Sequence, residues 1–343
     1  MRATTTGFGW LAVVLGAGCT VGSTGEESGA FSFYQPTDYP GDGLGDRDAD
    51  DAVALGSRVD LAVLGWDEAT DGPLTWSVDA GEALSLEGDG AVGRFRAVAE
   101  GEGQVRATAA DGTTDVITLT VAPLGASAVV VDNGLLWGGD VGPAEWVAAG
   151  RTLRPGAAIT LGATLTDATG ARMSGFDFLT WTADPGLLTL APSAALVNSV
   201  TATAVGVAGD DTVTVDGGGL LDLGLQGADA VNTLAVFSTE PAPDGTYPEI
   251  DALTAEAGLM LIGLAGFDAA GRFVVPGPAD APAIAVSDGD PAGLVAAEWS
   301  PELGGMALQL CAGVGTLSVT FLGGDLLLPF VIAPSAAAPA GCP

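Results

Sequence analysis

The chain is rich in carboxylates and poor in almost everything that works with them. Forty-three Asp and Glu face ten basic residues, all of them arginine; no lysine or histidine occurs, and the formal net charge is −33. Without histidine there is no Ser-His-Asp or Cys-His machinery, and the commonest zinc ligand is missing. Without lysine there is no Schiff base and no P-loop lysine. The remaining acid–base option is a facing carboxylate pair of the glycosidase kind, which would need a cleft. The spacing closest to a metal motif is Asp46, Asp48 and Asp50. An EF-hand loop then wants glycine at its sixth position and glutamate at its twelfth, where this chain has Asp51 and Ser57. A solvated acidic linker is the expectation, with weak calcium binding as the alternative and no other cofactor. Asp210, Asp211, Asp288 and Asp290 raise the same question near module ends, and turn chemistry is the simpler account of them. So acidic a surface repels nucleic acid and anionic membranes.

Three cysteines carry the other chemistry. Residues 1–18 have one arginine, an apolar run from Phe8 to Leu15 and small residues before Cys19, which is an export signal too short to span a bilayer. LGAGC resembles the bacterial lipoprotein signal, and that resemblance implies a lipid on Cys19; an ordinary cleaved signal is the alternative. Either way the chain is expected outside the cytoplasm, at the outer membrane, cell surface or periplasm, touching a membrane only through Cys19. Cys311 and Cys342 then form an even pair in an oxidising compartment. A bridge would close a loop of about 30 residues and contribute roughly 3 kcal/mol; a buried thiol beside a free one is the alternative.

The elements that must position these residues read as strands. Mean hydropathy is +0.42, spread over many short Ala, Val and Leu segments. In GQVRATAADGTTDVITLTV the apolar residues Val105, Ala107 and Ala109 alternate with Arg106, Thr108 and Ala110. After Asp111-Gly112, Ile117, Leu119 and Val121 continue the alternation, giving a hairpin with one buried face. TWSVD at 75–79 returns as TWTAD at 180–184. Residues 74–112 align with 179–217 without a gap, with eleven identities where composition predicts roughly four. Trp76 and Trp181 are therefore expected in the core, and Gly101 and Gly206 in turns with positive φ. A third copy is read from LAGFDAAGRFV, which echoes LTDATGARM, and from CAGVGTLSVTFLGG, in which Gly313 and Gly315 stand for Gly101 and Gly103. Val286 is expected at its tryptophan position.

LTWSVD, FRAVAEGEGQVRATAADG and VITLTV together resemble a bacterial immunoglobulin-like domain of group 2. The resemblance implies an all-β fold of tandem immunoglobulin-like sandwiches over most of residues 53–335, and it specifies no ligand. The expected organisation is a signal at 1–18, a flexible acidic tether at 19–52, and modules at 53–123, 126–236 and 237–335. An insertion at about 132–155 interrupts the second module, and a tail follows at 336–343. Trp66, Trp137, Trp146 and Trp299 follow no repeat position. Trp137 and Trp146 fall in the insertion, where exposed rings would suit a glycan or protein; packing at a module junction is the alternative. The expected function is non-enzymatic: an envelope spacer or adhesion scaffold. The alternative is a carbohydrate- or protein-binding accessory subunit of an envelope complex. Partner identity and oligomeric state are not written in the residues.

Overall fold

Period-two alternation, frequent Gly-containing turns and few helix signals produce strands throughout. The computed structural model describes residues 30–36, 47–48 (backbone only), 51–66, 71–131, 150–193, 196–227, 231–239, 247–290, 293–300, 305–335 and 342. These form three sandwiches of nine strands each. The first comprises β1 (Phe33–Gln35), β2 (Arg47–Asp48), β3 (Ala52–Ala54), β4 (Arg58–Val63), β5 (Thr75–Ala80), β6 (Leu84–Gly88), β7 (Gly93–Ala97), β8 (Gly101–Thr108) and β9 (Thr114–Ala122). The second has β10 (Ala126–Val131), β11 (Arg151–Leu153), β12 (Ala158–Thr166), β13 (Met173–Ser174), β14 (Trp181–Asp184), β15 (Leu188–Pro192), β16 (Ser199–Ala204), β17 (Gly209–Val215) and β18 (Gly219–Leu225). The third has β19 (Thr233–Ser238), β20 (Leu253–Glu256), β21 (Gly258–Phe267), β22 (Phe273–Val275), β23 (Ala283–Asp288), β24 (Leu294–Ser300), β25 (Gly305–Leu310), β26 (Gly313–Phe321) and β27 (Gly324–Ala333).

Sheet orders repeat. The first sandwich faces β2-β1-β4-β7-β6 against β3-β9-β8-β5, and the second faces β10-β12-β16-β15 against β14-β17-β18-β11. In the third, β20-β27-β26-β23 lies opposite β22-β21-β25-β24, with β19 also on β21. Inward residues of the paired sheets make each core, as sandwich alternation requires. Val59, Leu61, Trp76, Phe95, Val105 and Leu119 fill the first, and Leu308, Leu317, Val319, Phe321, Leu328 and Phe330 the third. Segments read as tether or insertion belong to the sandwiches, Arg47–Asp48 (β2) among them. Phe33–Gln35, within the tether range, is hydrogen-bonded between β4 and β2 rather than at an edge. Arg151–Leu153, at the end of the stretch read as an insertion, is β11.

The register identifies equivalent positions more sharply than the sequence does. Each of β8, β17 and β26 opens on a glycine of positive φ (Gly101 +123°, Gly209 +134°, Gly313 +158°). Six residues further on, Ala107, Val215 and Val319 pair with Trp76, Trp181 and Ile284. The tryptophan position of the third sandwich is therefore Ile284, and Val286 is its inward neighbour two residues along. Gly209, rather than Gly206, is the counterpart of Gly101. The gapless alignment holds at the tryptophans but slips after them, since Ala107 corresponds to Val215 and Asp115 to Gly219. Leu84 and Leu188 pair equivalently with Ala97 and Ala204. A longer β15–β16 turn pushes the offset up, and a shorter β17–β18 turn brings it back down. Trp76 is 2% exposed, whereas Trp181 is half-buried.

Candidate functional site

The most elaborated side-chain chemistry lies where one sandwich meets the next. At the first joint β3 forms a parallel pair with β9 of its own sandwich and another with β13 of the next, Met173 opposite Ala52 and Ser174 opposite Val53. Arg58 and Phe176 exchange both backbone hydrogen bonds (2.7 and 2.9 Å), and the Arg58 guanidinium stands 5.2 Å from the Phe176 ring centre. Arg96 donates to the Gly56 and Asp177 carbonyls and pairs with Glu87 (2.9 Å) and Asp177 (3.2 Å). Asn198 donates to the Gly175 carbonyl at 2.7 Å. Beneath these lies a small cluster of Ala54, Ala163, Leu165, Met173 and Val215.

The second joint repeats the first and enlarges it. Here β11 pairs in parallel with β18 of its own sandwich and with β22 of the next, so a nine-stranded sheet runs through both sandwiches. Arg151, Thr152 and Arg154 on and beside β11 are at most 4% exposed. Thr152 donates to Asp268 Oδ2 (2.8 Å), as does Arg272 Nε (2.8 Å), while Asp268 Oδ1 accepts from the Ala270 and Arg272 amides (2.9 Å each). Arg154 donates to the carbonyls of Gly227 and, at 2.9 Å, of Leu322, tying the second sandwich to the β26–β27 turn of the third. The core of the second sandwich takes in Ala235, Phe237, Ala265, Phe273 and Val275 from the third.

The Asp-Ala-x-Gly turns prepare both joints. Asp167 and Asp268 each close a turn by accepting amides two and four residues ahead (Thr169 and Ala171; Ala270 and Arg272), and the chain then delivers β13 or β22 to the preceding sandwich. The echo between LTDATGARM and LAGFDAAGRFV was visible in the sequence, but its joining role was not. The available signal was a three-residue stretch in each of the first two sandwiches, AVA and RTL, too short to serve one sheet alone.

Carboxylates with clearly displaced titration all move down. Asp79 is held low by hydrogen bonding to Arg106, and Asp167 by the Thr169 hydroxyl and then by backbone amides. Asp111 is held low by the Thr113 amide. For Asp268 burial opposes the charge, yet the Arg272 amide, Thr152 and the Arg272 side chain together outweigh it. A general acid needs the opposite displacement; these groups anchor turns and joints.

Cys311 and Cys342 form a disulfide, with Cα atoms 5.4 Å apart and 31 residues of separation. Cys311 is buried, and its amide donates to the Gly293 carbonyl. Closing a loop of that length stabilises by about 3–4 kcal/mol in the chain-entropy picture. Cys19, Asp46, Asp50, Trp137 and Trp146 lie outside the described residues, and of Asp48 only the backbone, in β2, is described. Trp66 donates to the Gly72 carbonyl and packs edge-on against Phe31, and Trp299 lies 5.0 Å from the Phe321 ring centre. Asp210 pairs with Arg272 (3.3 Å), and Asp211 accepts the Leu188 amide (2.9 Å). Among the described residues no three Asp, Glu or Cys side chains converge as metal ligands.

No family model matches the chain, and no curated protein does. Among solved structures it is similar to domains 4–9 of the surface layer protein SbsC, at 17% identity over 84% of this chain and 46% of that one, with a TM-score of 0.27. It is also similar to the Escherichia coli adhesin FdeC (16% identity, 83% and 98% coverage, TM-score 0.24). A third is invasin, a bacterial integrin-binding protein (13%, 82% and 58%, TM-score 0.22). The chain spans about half the length of the SbsC fragment. At these identities the likeness concerns fold alone.

Proposed function

We propose that this is a non-enzymatic, exported envelope protein whose three immunoglobulin-like sandwiches act as a jointed spacer or adhesion scaffold, held to the membrane by a lipid on Cys19. The observation that carries the reading is the repeated joint. A freely swinging string of modules has no need of strands shared across each boundary, nor of the buried arginines at the second. Shared strands fix one module against the next, which suits a part that holds something at a set distance from a surface. The signal-like residues 1–18 support export, and the Gly-, Ser-, Thr- and Glu-rich composition of 20–29 supports a solvated spacer ahead of the first sandwich.

Small-angle scattering from the exported chain tests the spacer. One fixed arrangement of the three sandwiches should fit the data at low and high salt, and a need for a broad ensemble would overturn the reading. Fractionation of cells expressing the full chain tests the address. The protein should sediment with membranes and move to the soluble exported fraction in Cys19→Ala; recovery from the cytoplasm would sink the proposal.

A further inference from the structure

Three sandwiches in one chain allow the same outer face to be compared three times. On the sheet carrying β8, β17 or β26, the outward position after the opening glycine is Glu102, Asp210 or Val314, and the cross-strand neighbours are Thr120, Gly224 and Val331. Four residues later the outward pairs are Arg106 with Val116, Thr214 with Leu220, and Ser318 with Leu327. Between them lie Gln104 with Thr118, Thr212 with Asp222, and Thr316 with Pro329. Among these positions the first face carries Glu102 and Arg106, the second Asp210 and Asp222, and the third no charge. Val314 is 70%, Leu327 65% and Val331 52% exposed, on strands whose alternate residues Leu317, Val319, Leu328 and Phe330 are fully inside. Carboxylates of the third face stand on its edge strands and at its hairpin end: Glu256 closes β20, Asp288 lies on edge strand β23 beside Thr316, and Asp325 lies beside Thr320.

We propose that two copies of this chain associate face to face through the outer surface of the β20-β27-β26-β23 sheet. Charge selects the occupant. A chain of net charge −33 repels its own copy wherever carboxylates would meet, and a basic partner would be drawn to the acidic faces of the first two sandwiches instead. About a twofold axis each residue near the centre meets its own equivalent, which valine, leucine and proline tolerate and aspartate does not. The area agrees. Strands of four, six, nine and ten residues, about 4.8 Å apart and rising about 3.3 Å per residue, cover roughly 450 Å² per copy, or about 900 Å² for the pair. That is the lower end of specific interfaces, so the dimer is weak and reversible. An uncovered patch of this kind is also what marks an association site on an otherwise well-charged surface.

Sedimentation of the full chain, exported as Cys19→Ser to keep it lipid-free, provides the test across a concentration series at about 50 mM and about 500 mM salt. Self-association through an uncharged face should strengthen at least several-fold with salt, because screening removes the repulsion between copies. Val314→Asp, and independently Val331→Asp, should weaken the dimer tenfold or more with unchanged circular dichroism, since both side chains are exposed in the monomer. Leu220→Asp, at the position of the second sandwich that matches Leu327, should leave association unchanged. A monomer at every concentration and salt overturns the proposal. So does a dimer that weakens with salt, one indifferent to both valine substitutions, or one lost instead in Leu259→Asp on the opposite face of the third sandwich.

Discussion

Trp76 and Trp181 occupy one register position in two sandwiches, yet their surroundings make them unequal. The Trp76 ring lies about edge-on to Phe95 at 6.0 Å and 6.1 Å from Phe33, and its Nε1 donates to the Gly90 carbonyl. Trp76→Ala should therefore cost about 3–5 kcal/mol of first-sandwich stability in chemical denaturation. Trp181 is half-buried and packs on both the second core and the small cluster under the first joint. Trp181→Ala should cost about half as much, in proportion to the area withdrawn from water. Asp268 supplies the pH-dependent prediction. Its carboxyl titrates below the ordinary value of 3.8 because bound donors favour the charged form against burial. A depressed folded pKa contributes stability above the unfolded value and loses it as pH falls through the folded one. Asp268→Asn should thus destabilise by about 1.5–3 kcal/mol near neutral pH, the range for hydrogen bonds to a charged group. The difference from the wild type should shrink as pH drops below 3.8; urea melts at several pH values would show it. The TWSVD and TWTAD echo located these ring positions in the sequence. It carried no sign of the half-burial of Trp181, because that depends on a neighbouring sandwich.

At the scale of elements, the glycine five residues past the tryptophan position separates backbone requirement from space. Gly81, Gly186 and Gly289 all have positive φ, at +82°, +89° and +103°. A methyl group at Gly289 would press on the Val314 carbonyl oxygen at 2.8 Å, and one at Gly81 on the Glu102 carbonyl; at Gly186 it would meet nothing within 4 Å. Gly186→Ala should cost about 1–2 kcal/mol, the left-handed penalty alone. Gly289→Ala and Gly81→Ala should cost clearly more, because the ladder of β23 on β26, or of β5 on β8, has to shift. Thermal melts of the three variants decide this. Strand existence and the hairpins were legible from alternation and Asp-Gly turns, since both are local. The slip of the repeat between Trp181 and Gly217 was not. Nearly compensating changes in two turns leave the end-to-end offset close to 105 and hide the displacement of Gly209 from Gly206. The joining strands β3 and β11 were equally hidden, because three residues show no period and acquire their strand character from partners on both sides.

For the whole molecule, the distribution of core decides how many pieces unfold. Leu153, Ile159 and Leu223 of the second sandwich share one continuous cluster with Phe237, Ala265 and Phe273 of the third, and the nine-stranded sheet crosses between them. The first sandwich keeps its own core and meets the second over a smaller cluster, Ala54, Ala163, Leu165, Met173 and Val215 with Phe178 and Trp181 packed against it. Cooperativity follows buried contact, so calorimetry should resolve two transitions, one for the first sandwich and one for the other two together. Arg154 is the side chain on which that coupling most depends. It is 3% exposed and donates to carbonyls on both sides of the boundary, Gly227 before it and Leu322 far along the third sandwich. Arg154→Ala removes the shared donor: the Leu322 carbonyl keeps the Val231 amide (3.0 Å), while the half-buried Gly227 carbonyl loses the guanidinium, at a cost of about 1–3 kcal/mol. The outcome expected is a split of the larger transition into two, with the first sandwich melting as before. Arg106→Ala, which breaks the exposed and solvent-screened pair with Asp79, should barely move the first transition and leave the larger one whole. If the second and third sandwiches already melt separately in the wild type, the shared core does not couple them, and the second joint positions its neighbours without stabilising them.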